Sequence, residues 1–439
     1  MNGLLTSRDR EIWRLTLPNI VSNISVPLIG LADTAIAGHV GGDAGIGAVS
    51  IGTTIFNIIY WNCGFLRMGC SGLTAQAYGR GDREEVASIL TRGLTIALFL
   101  SAVLLLSSGV LIEWVIGLFS SPERVEAQVR EYVWVRIWAI PASVSLFAFA
   151  GWMIGMQDPK SAMIVTVSAN VINVAASAVI AIWMEKGIAG VAIGTVVAQW
   201  AGVVMSVVIV RKKYGREFEG YKLVKSLKVE PFRKFLRVGG DIFVRTLCIV
   251  TAFTLFTVVS SWGGEVVLAT NTLMMQLFVL FSYIADGLAY SAESIVGKLI
   301  GAQDREGLRD STRRLMAWGV VVGLLYTGVY LMFWREILTM FGPSEEVLVR
   351  AGGEIGWGIA MPMAGLLAFI LDGVMIGATQ TRWLLFSVAG ALLSAVVVAF
   401  LMQLSGSEQW LWPSFSTFMV MRGVLLVPGY RKIVSCRTQ

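Results

Sequence analysis

The chain has one histidine and four cysteines in 439 residues, and that shortage excludes most enzyme chemistry at once. It offers no His-Glu-x-x-His, no cluster of His, Cys and carboxylates, and no phosphate-binding loop. Without such a loop ATP cannot drive a pump, so any pumping must draw on an ion gradient. Cys63, Cys70 and Cys248 lie in apolar stretches and Cys436 in a basic tail, which leaves neither a disulfide framework nor a zinc spacing. Charge is scarce too, at 15% of residues against about 25% in soluble chains. A soluble globule, a fibre and a disordered chain are all poor fits.

What is abundant is apolar sequence: 56% of the residues are hydrophobic, and 47 more are glycine. Breaks at Gly, Pro and charge clusters divide the chain into twelve stretches, near 13–37, 45–73, 93–115, 133–155, 161–183, 190–210, 238–260, 267–296, 315–333, 355–377, 383–404 and 410–430. Each approaches the roughly 20 residues that a spanning helix needs. Open strands cannot span lipid, because their backbone groups would go unpaired. The expected fold is an all-α polytopic membrane protein of twelve transmembrane helices. The first stretch carries no small-residue cleavage pattern and reads as a span, not a signal peptide.

With the N-terminus inside, the even-numbered loops and both tails hold 25 of the 35 Lys and Arg. The outer loops hold five, Arg124, Arg130, Lys186, Arg335 and Arg350. The positive-inside rule then places both termini in the cytoplasm, with the protein in the cell (inner) membrane. The net charge of +6 is absorbed by this bias, so no nucleic-acid partner is expected. The longest loop, 211–234, carries nine basic residues and is the expected linker between lobes at 1–210 and 235–439.

The two halves match at a spacing of 222. Gly41-Gly42 falls on Gly263-Gly264, Gly79 on Gly301, Asp82-Arg83-Glu84 on Asp304-Arg305-Glu306, Phe119 on Phe341 and Gly155 on Gly377; Pro141 and Pro362 match after a one-residue gap. Six spans per half is even, so both halves insert in the same orientation, as two pseudo-symmetric six-helix bundles. Parallel repeats with a route between them are a transporter arrangement.

Ionisable groups in mid-span cost about 2.5–3.5 kcal/mol on insertion scales and are candidate functional residues. Span one carries Asp33, with Asn19, Ser22 and Asn23 on the same helical face and Pro18 and Pro27 as expected bending points. Span five carries Asn170, Asn173 and Ser177 on one face, span eight Asp286 and Glu293 below Asn271 and Gln276, and span ten Asp372. Three structural pairings compete: Asp241 with Arg245 at i, i+4, Glu293 with Lys298, and hydrogen bonding between helices for the asparagines. Arg67, Arg136 and Arg422 are open to pairing with carboxylates or lipid headgroups.

Leu31-Ala32-Asp33-Thr34-Ala35-Ile36-Ala37-Gly38-His39-Val40-Gly41 resembles the first-helix signature of the multidrug and toxic compound extrusion (MATE) family. Leu371-Asp372-Gly373-Val374-Met375-Ile376-Gly377-Ala378-Thr379 resembles the tenth helix of its branch named for a DNA-damage-inducible protein, the DinF-like branch. Ala285-Asp286-Gly287-Leu288-Ala289 through Glu293 and Gly297 to Gly301-Ala302 is similar to that branch's eighth helix. The resemblance implies two six-helix lobes and a monomeric, cofactor-free antiporter, not an enzyme. Such an antiporter exports cationic or amphipathic small molecules against inward H⁺ or Na⁺, with membrane lipids around it. It implies Asp33 as the first-helix carboxylate and Pro18 as the helix-bending proline. Where the branch often reads Asn-x-x-Asn-x-x-x-Asp in helix five, this chain has Asn170, Asn173 and Ser177. The loss of the acidic residue favours protonation of Asp33 over tight Na⁺ binding, so a metal site beyond transient Na⁺ is not expected. The alternatives are a lipid-linked saccharide flippase of the same superfamily and a major-facilitator transporter, whose loop motif Gly79-Arg80-Gly81-Asp82-Arg83 partly matches.

Overall fold

The computed structural model describes residues 6–119, 122–221, 229–405 and 410–435, and among these every regular element is helical. Residues 222–228 of the basic loop, and Cys436, lie outside the described residues. Among the described residues, eleven helical stretches are long and apolar enough to cross a membrane. The first runs from Ser7 to Arg80 and contains two spans. Gly42 breaks it with φ 59° and ψ −150°, dihedrals outside the helical region. The described residues thus hold twelve spanning helices, as the sequence predicts.

They are α1 (7–41), α2 (43–80, re-starting after Gly64), α3 (Arg83–Leu118), α4 (Glu123–Arg136, continuing through a 3₁₀ turn into Ile140–Gly155) and α5 (Pro159–Ala178, ending in the π-helical turn Val179–Trp183). Then come α6 (Gly187–Tyr214), α7 (Val229–Trp262), α8 (Glu265–Gly301), α9 (Arg305–Thr339), α10 (Glu345–Gly377), α11 (Thr381–Leu404) and α12 (Leu411–Val424, followed by Val427–Ser435). Several begin about a turn or more before their apolar stretch. Polar caps extend them there: Asp82 accepts from the Glu85 N–H at 3.0 Å and Asp304 from the Gly307 N–H at 2.8 Å. The repeated Asp-Arg-Glu triplet is therefore an N-cap device, which also accounts for the partial major-facilitator motif.

The 222-residue repeat reaches the backbone. Positive φ recurs at Gly42 and Gly264, at Gly81 and Gln303, and at Gln157 and Thr379, each pair 222 apart. Close helix packing recurs as well. A Cβ on Gly155 would lie 2.7 Å from the Ser71 carbonyl oxygen, and one on Gly377 3.0 Å from the Gly297 nitrogen. Small residues let α4 approach α2, and α10 approach α8, backbone to backbone.

The chain groups into two compact units, Val21–Gly239 and Met1–Ile20 with Gly240–Gln439. The opening turns of α1 and α7 thus each lie with the unit opposite to the one expected from lobes at 1–210 and 235–439. Specific contacts account for this. Thr16 shares a 2.8 Å hydrogen bond with Ser291, Lys298 pairs with Glu11 at 2.8 Å, and Arg314 pairs with Asp9 at 3.0 Å. Phe235 on α7 is buried, with its ring tip near Gly69 and Gly93. The core of the second unit is aromatic, built around Phe256, Phe278, Phe281, Phe369 and Phe415. Side chains such as Leu106 and Trp183 stay more than four-fifths exposed, as a lipid-facing surface requires.

Candidate functional site

In the Val21–Gly239 unit the candidate site forms around Asp33 on α1. Its side chain is buried, and its Oδ1 has no hydrogen-bond partner among the described residues. It interacts electrostatically with Arg136 on α4. Arg136 is itself buried and fixed from three sides. It donates to Thr53 Oγ1 at 3.1 Å and to the Tyr132 hydroxyl one turn back, and its guanidinium lies 4.8 Å from the Phe56 ring centroid. Hydroxyls and a ring face thus hold the guanidinium, while the carboxylate retains accepting capacity. Arg136 is the partner that sequence reasoning did not assign; its only signal was a lone arginine at the edge of an apolar span.

The polar residues expected beside Asp33 separate. Asn19 lies in the other unit and donates to its own helix at Leu15 O, 2.9 Å away. Asn23 stays in the unit of Asp33 and is half-buried. Asn170 donates to Ser25 Oγ at 2.7 Å, tying α5 to α1. Asn173 instead donates to Thr195 Oγ1 at 3.0 Å, and Ser177 to Val191 O at 3.2 Å, both on α6. The expected single polar face of α5 therefore serves two neighbours. Pro18 and Pro27 do not break α1: the non-helical dihedrals within Ser7–Cys63 are at Gly42.

In the other unit the charges form a different constellation. Asp372 on α10 accepts from Arg245 on α7, and from Arg422 on α12 at 2.5 Å; all three are buried. Asp286 on α8 is half-buried and interacts electrostatically with Arg245, while Glu293 is fully buried on the same helix. Two sequence expectations are corrected here. Asp241 does not pair with Arg245 but accepts from Thr381 Oγ1 at 2.6 Å, and Lys298 pairs with Glu11 in place of Glu293. Asn271, expected above Asp286, accepts from Trp412 Nε1 and donates to Ser260 Oγ, at 2.9 and 3.0 Å. No three His, Cys, Asp or Glu side chains come together as a metal site among the described residues.

Comparison with known proteins agrees with this architecture. The MatE family model matches residues 18–179 and 242–401, one block in each half of the repeat. The chain is 30% identical over 430 residues to DNA damage-inducible protein F of Escherichia coli (strain K12), covering 98% of this chain and 94% of that one. It is 23% identical over 448 residues to a probable multidrug resistance protein NorM of Pasteurella multocida, covering 97% and 94%. In fold it is similar to the Vibrio cholerae MATE transporter VcmN in the bent form, with a TM-score of 0.87 at 16% identity over 98% and 97% of the two chains. A matched family model over both halves and a full-length relative at this identity decide the matter: the chain belongs to the MATE family of multidrug and toxic compound transporters, and is a multi-pass membrane transporter, not an enzyme.

Proposed function

We propose that this protein is a secondary active antiporter. It exports cationic or amphipathic compounds in exchange for an inward-moving ion, by alternating access, from a cell (inner) membrane with both termini in the cytoplasm and as a monomer. The observation that carries the proposal is Asp33, a buried carboxylate with an unpartnered oxygen. Ionised, it attracts a cation; protonated, it releases it. Substrate and ion then compete for one group, which is the linkage exchange requires. The proton is the favoured ion. A hard cation such as Na⁺ prefers several oxygen ligands, whereas Asp33 has a guanidinium as its charged neighbour.

The flippase alternative needs arginines available for a pyrophosphate, and the buried pair Arg245 and Arg422 is engaged with Asp372. Transport in proteoliposomes under an imposed pH gradient and, separately, an imposed Na⁺ gradient tests the reading. The pH gradient is expected to drive efflux of an organic cation. If neither gradient does so, the antiporter reading fails.

A further inference from the structure

A cavity of about 330 Å³ opens in the Gly240–Gln439 unit, away from Asp372 and its arginines. Four helices supply its wall: the end of α7, the start of α8, the first turns of α10 and the start of α12. Its distinguishing content is four tryptophans, Trp262, Trp357, Trp410 and Trp412, together with Glu354 and Arg350. A volume near the lower end of small-molecule pockets, about 300–1,000 Å³, fits a ligand of few heavy atoms.

The floor offers a ligand little. Trp412 donates to Asn271, Asn271 to Ser260, and Ser260 to the Phe256 carbonyl, a closed chain of bonds at 2.9, 3.0 and 2.8 Å. Among the described residues, what lines the cavity with unspent capacity is Glu354 and the indoles of Trp262, Trp357 and Trp410. The Glu354 side chain is 13% exposed, and its ion pair with Arg350, whose side chain is 45% exposed, is long at 3.4 Å. A carboxylate held that loosely can exchange a solvated guanidinium for another cation at little cost. Indole faces attract a desolvated cation through their quadrupole, and quaternary ammonium groups are recognised in this way.

We infer that the pocket bounded by Trp262, Trp357, Trp410 and Trp412 is a binding site for a small alkylammonium group, with Glu354 as its counter-charge. It is separate from the Asp33 site and does not rest on the coupling reading. The ammonium comes either from a free organic cation or from a phospholipid headgroup, since both present the same chemistry to the indoles.

The test uses the full chain in phosphatidylglycerol nanodiscs, which contain no ammonium, with radiolabelled tetraethylammonium as the probe. Saturable binding is expected. Glu354→Gln is expected to weaken it about tenfold, and Trp357→Ala comparably, with Trp357→Phe losing less because a smaller ring face remains. Trp183→Phe, on an exposed side chain of the other unit, should bind as the parent does. Asp33→Asn should retain the Glu354-dependent binding, which keeps this inference separable from the coupling reading. Repeating the titration with phosphatidylethanolamine in the disc distinguishes the sources: competition identifies the headgroup as occupant, and its absence identifies free cations. The inference is overturned if the parent shows no saturable binding. It is also overturned if Glu354→Gln and both Trp357 variants, eluting as folded monodisperse protein, bind as tightly as the parent.

Discussion

In one unit a single buried carboxylate, Asp33, faces a single buried guanidinium, Arg136; in the other, Asp372 is gripped by two, Arg245 and Arg422. The backbone around these groups is repeated closely. Gly42 and Gly264 break the chain alike, Asp82 and Asp304 cap alike, and Gly155 and Gly377 admit a neighbouring helix alike. None of the charges in these two clusters is repeated. At the spacing of 222, Asp33 corresponds to Leu255, Arg136 to Gly358, Asp372 to Ala150, Arg245 to Asn23 and Arg422 to Trp200. Helix packing constrains both halves to the same solution, because small residues at fixed positions set how closely the backbones approach. Buried charge is under no such constraint, and the two halves arrange it differently. The Asp372 cluster has the marks of a structural lock. On the coupling proposal, the Asp33 pair is instead a site whose state can change.

The largest expected effect separates those two descriptions. Asp372→Leu leaves two buried guanidiniums without their carboxylate, and breaking a buried ion pair costs about 3–5 kcal/mol. Thermal unfolding followed by size-exclusion chromatography should show a clear loss, whereas Asp33→Asn should unfold close to the parent. Equal stability of the two variants would erase the distinction drawn between the halves. The next effect should be the same in both. Gly155→Ala and Gly377→Ala each push a methyl into the backbone of a neighbouring helix, and overpacking costs about 1–3 kcal/mol. A loss in one half only would mean that the packing repeat is not energetic.

The smallest effect concerns Asp158, in the turn before α5. Burial pushes its carboxyl up, but hydrogen bonds from Lys213, Ser161 and Tyr214 outweigh that and hold it below the ordinary 3.8. A carboxyl with a depressed folded value contributes stability above its unfolded value, and loses it as pH falls through the folded value. Asp158→Asn should therefore reduce acid sensitivity below about pH 3.8. The corresponding Gln380 occupies the N-cap position of α11 without a side-chain capping bond and cannot titrate, so Gln380→Asn should leave the acid profile unchanged.

The spans were legible in the sequence because hydropathy alone determines them, and the repeat because glycines and capping aspartates leave fixed marks. Partners were not legible. Arg245 and Arg422 reach Asp372 from 127 and 50 residues away, beyond any i, i+4 search, so Asp241 stood in wrongly for Asp372. Asn170, Asn173 and Ser177 do share a broad helical face, but α5 lies between two helices, and that face divides between α1 and α6. Helical periodicity finds a face without saying how many neighbours share it. The tryptophan pocket was hidden for the same reason, since its wall comes from four separate helices.

Proton-driven transport by Asp33→Asn is the most direct test of the coupling proposal. The asparagine keeps the shape of the side chain and its hydrogen-bonding capacity but cannot titrate. In proteoliposomes under an imposed pH gradient, the account predicts a folded, membrane-inserted variant that exports no organic cation against its gradient, while the parent does. Export by Asp33→Asn at the parent's rate would contradict it, and would move the search for the coupling group to Asp286, Glu293 and Asp372.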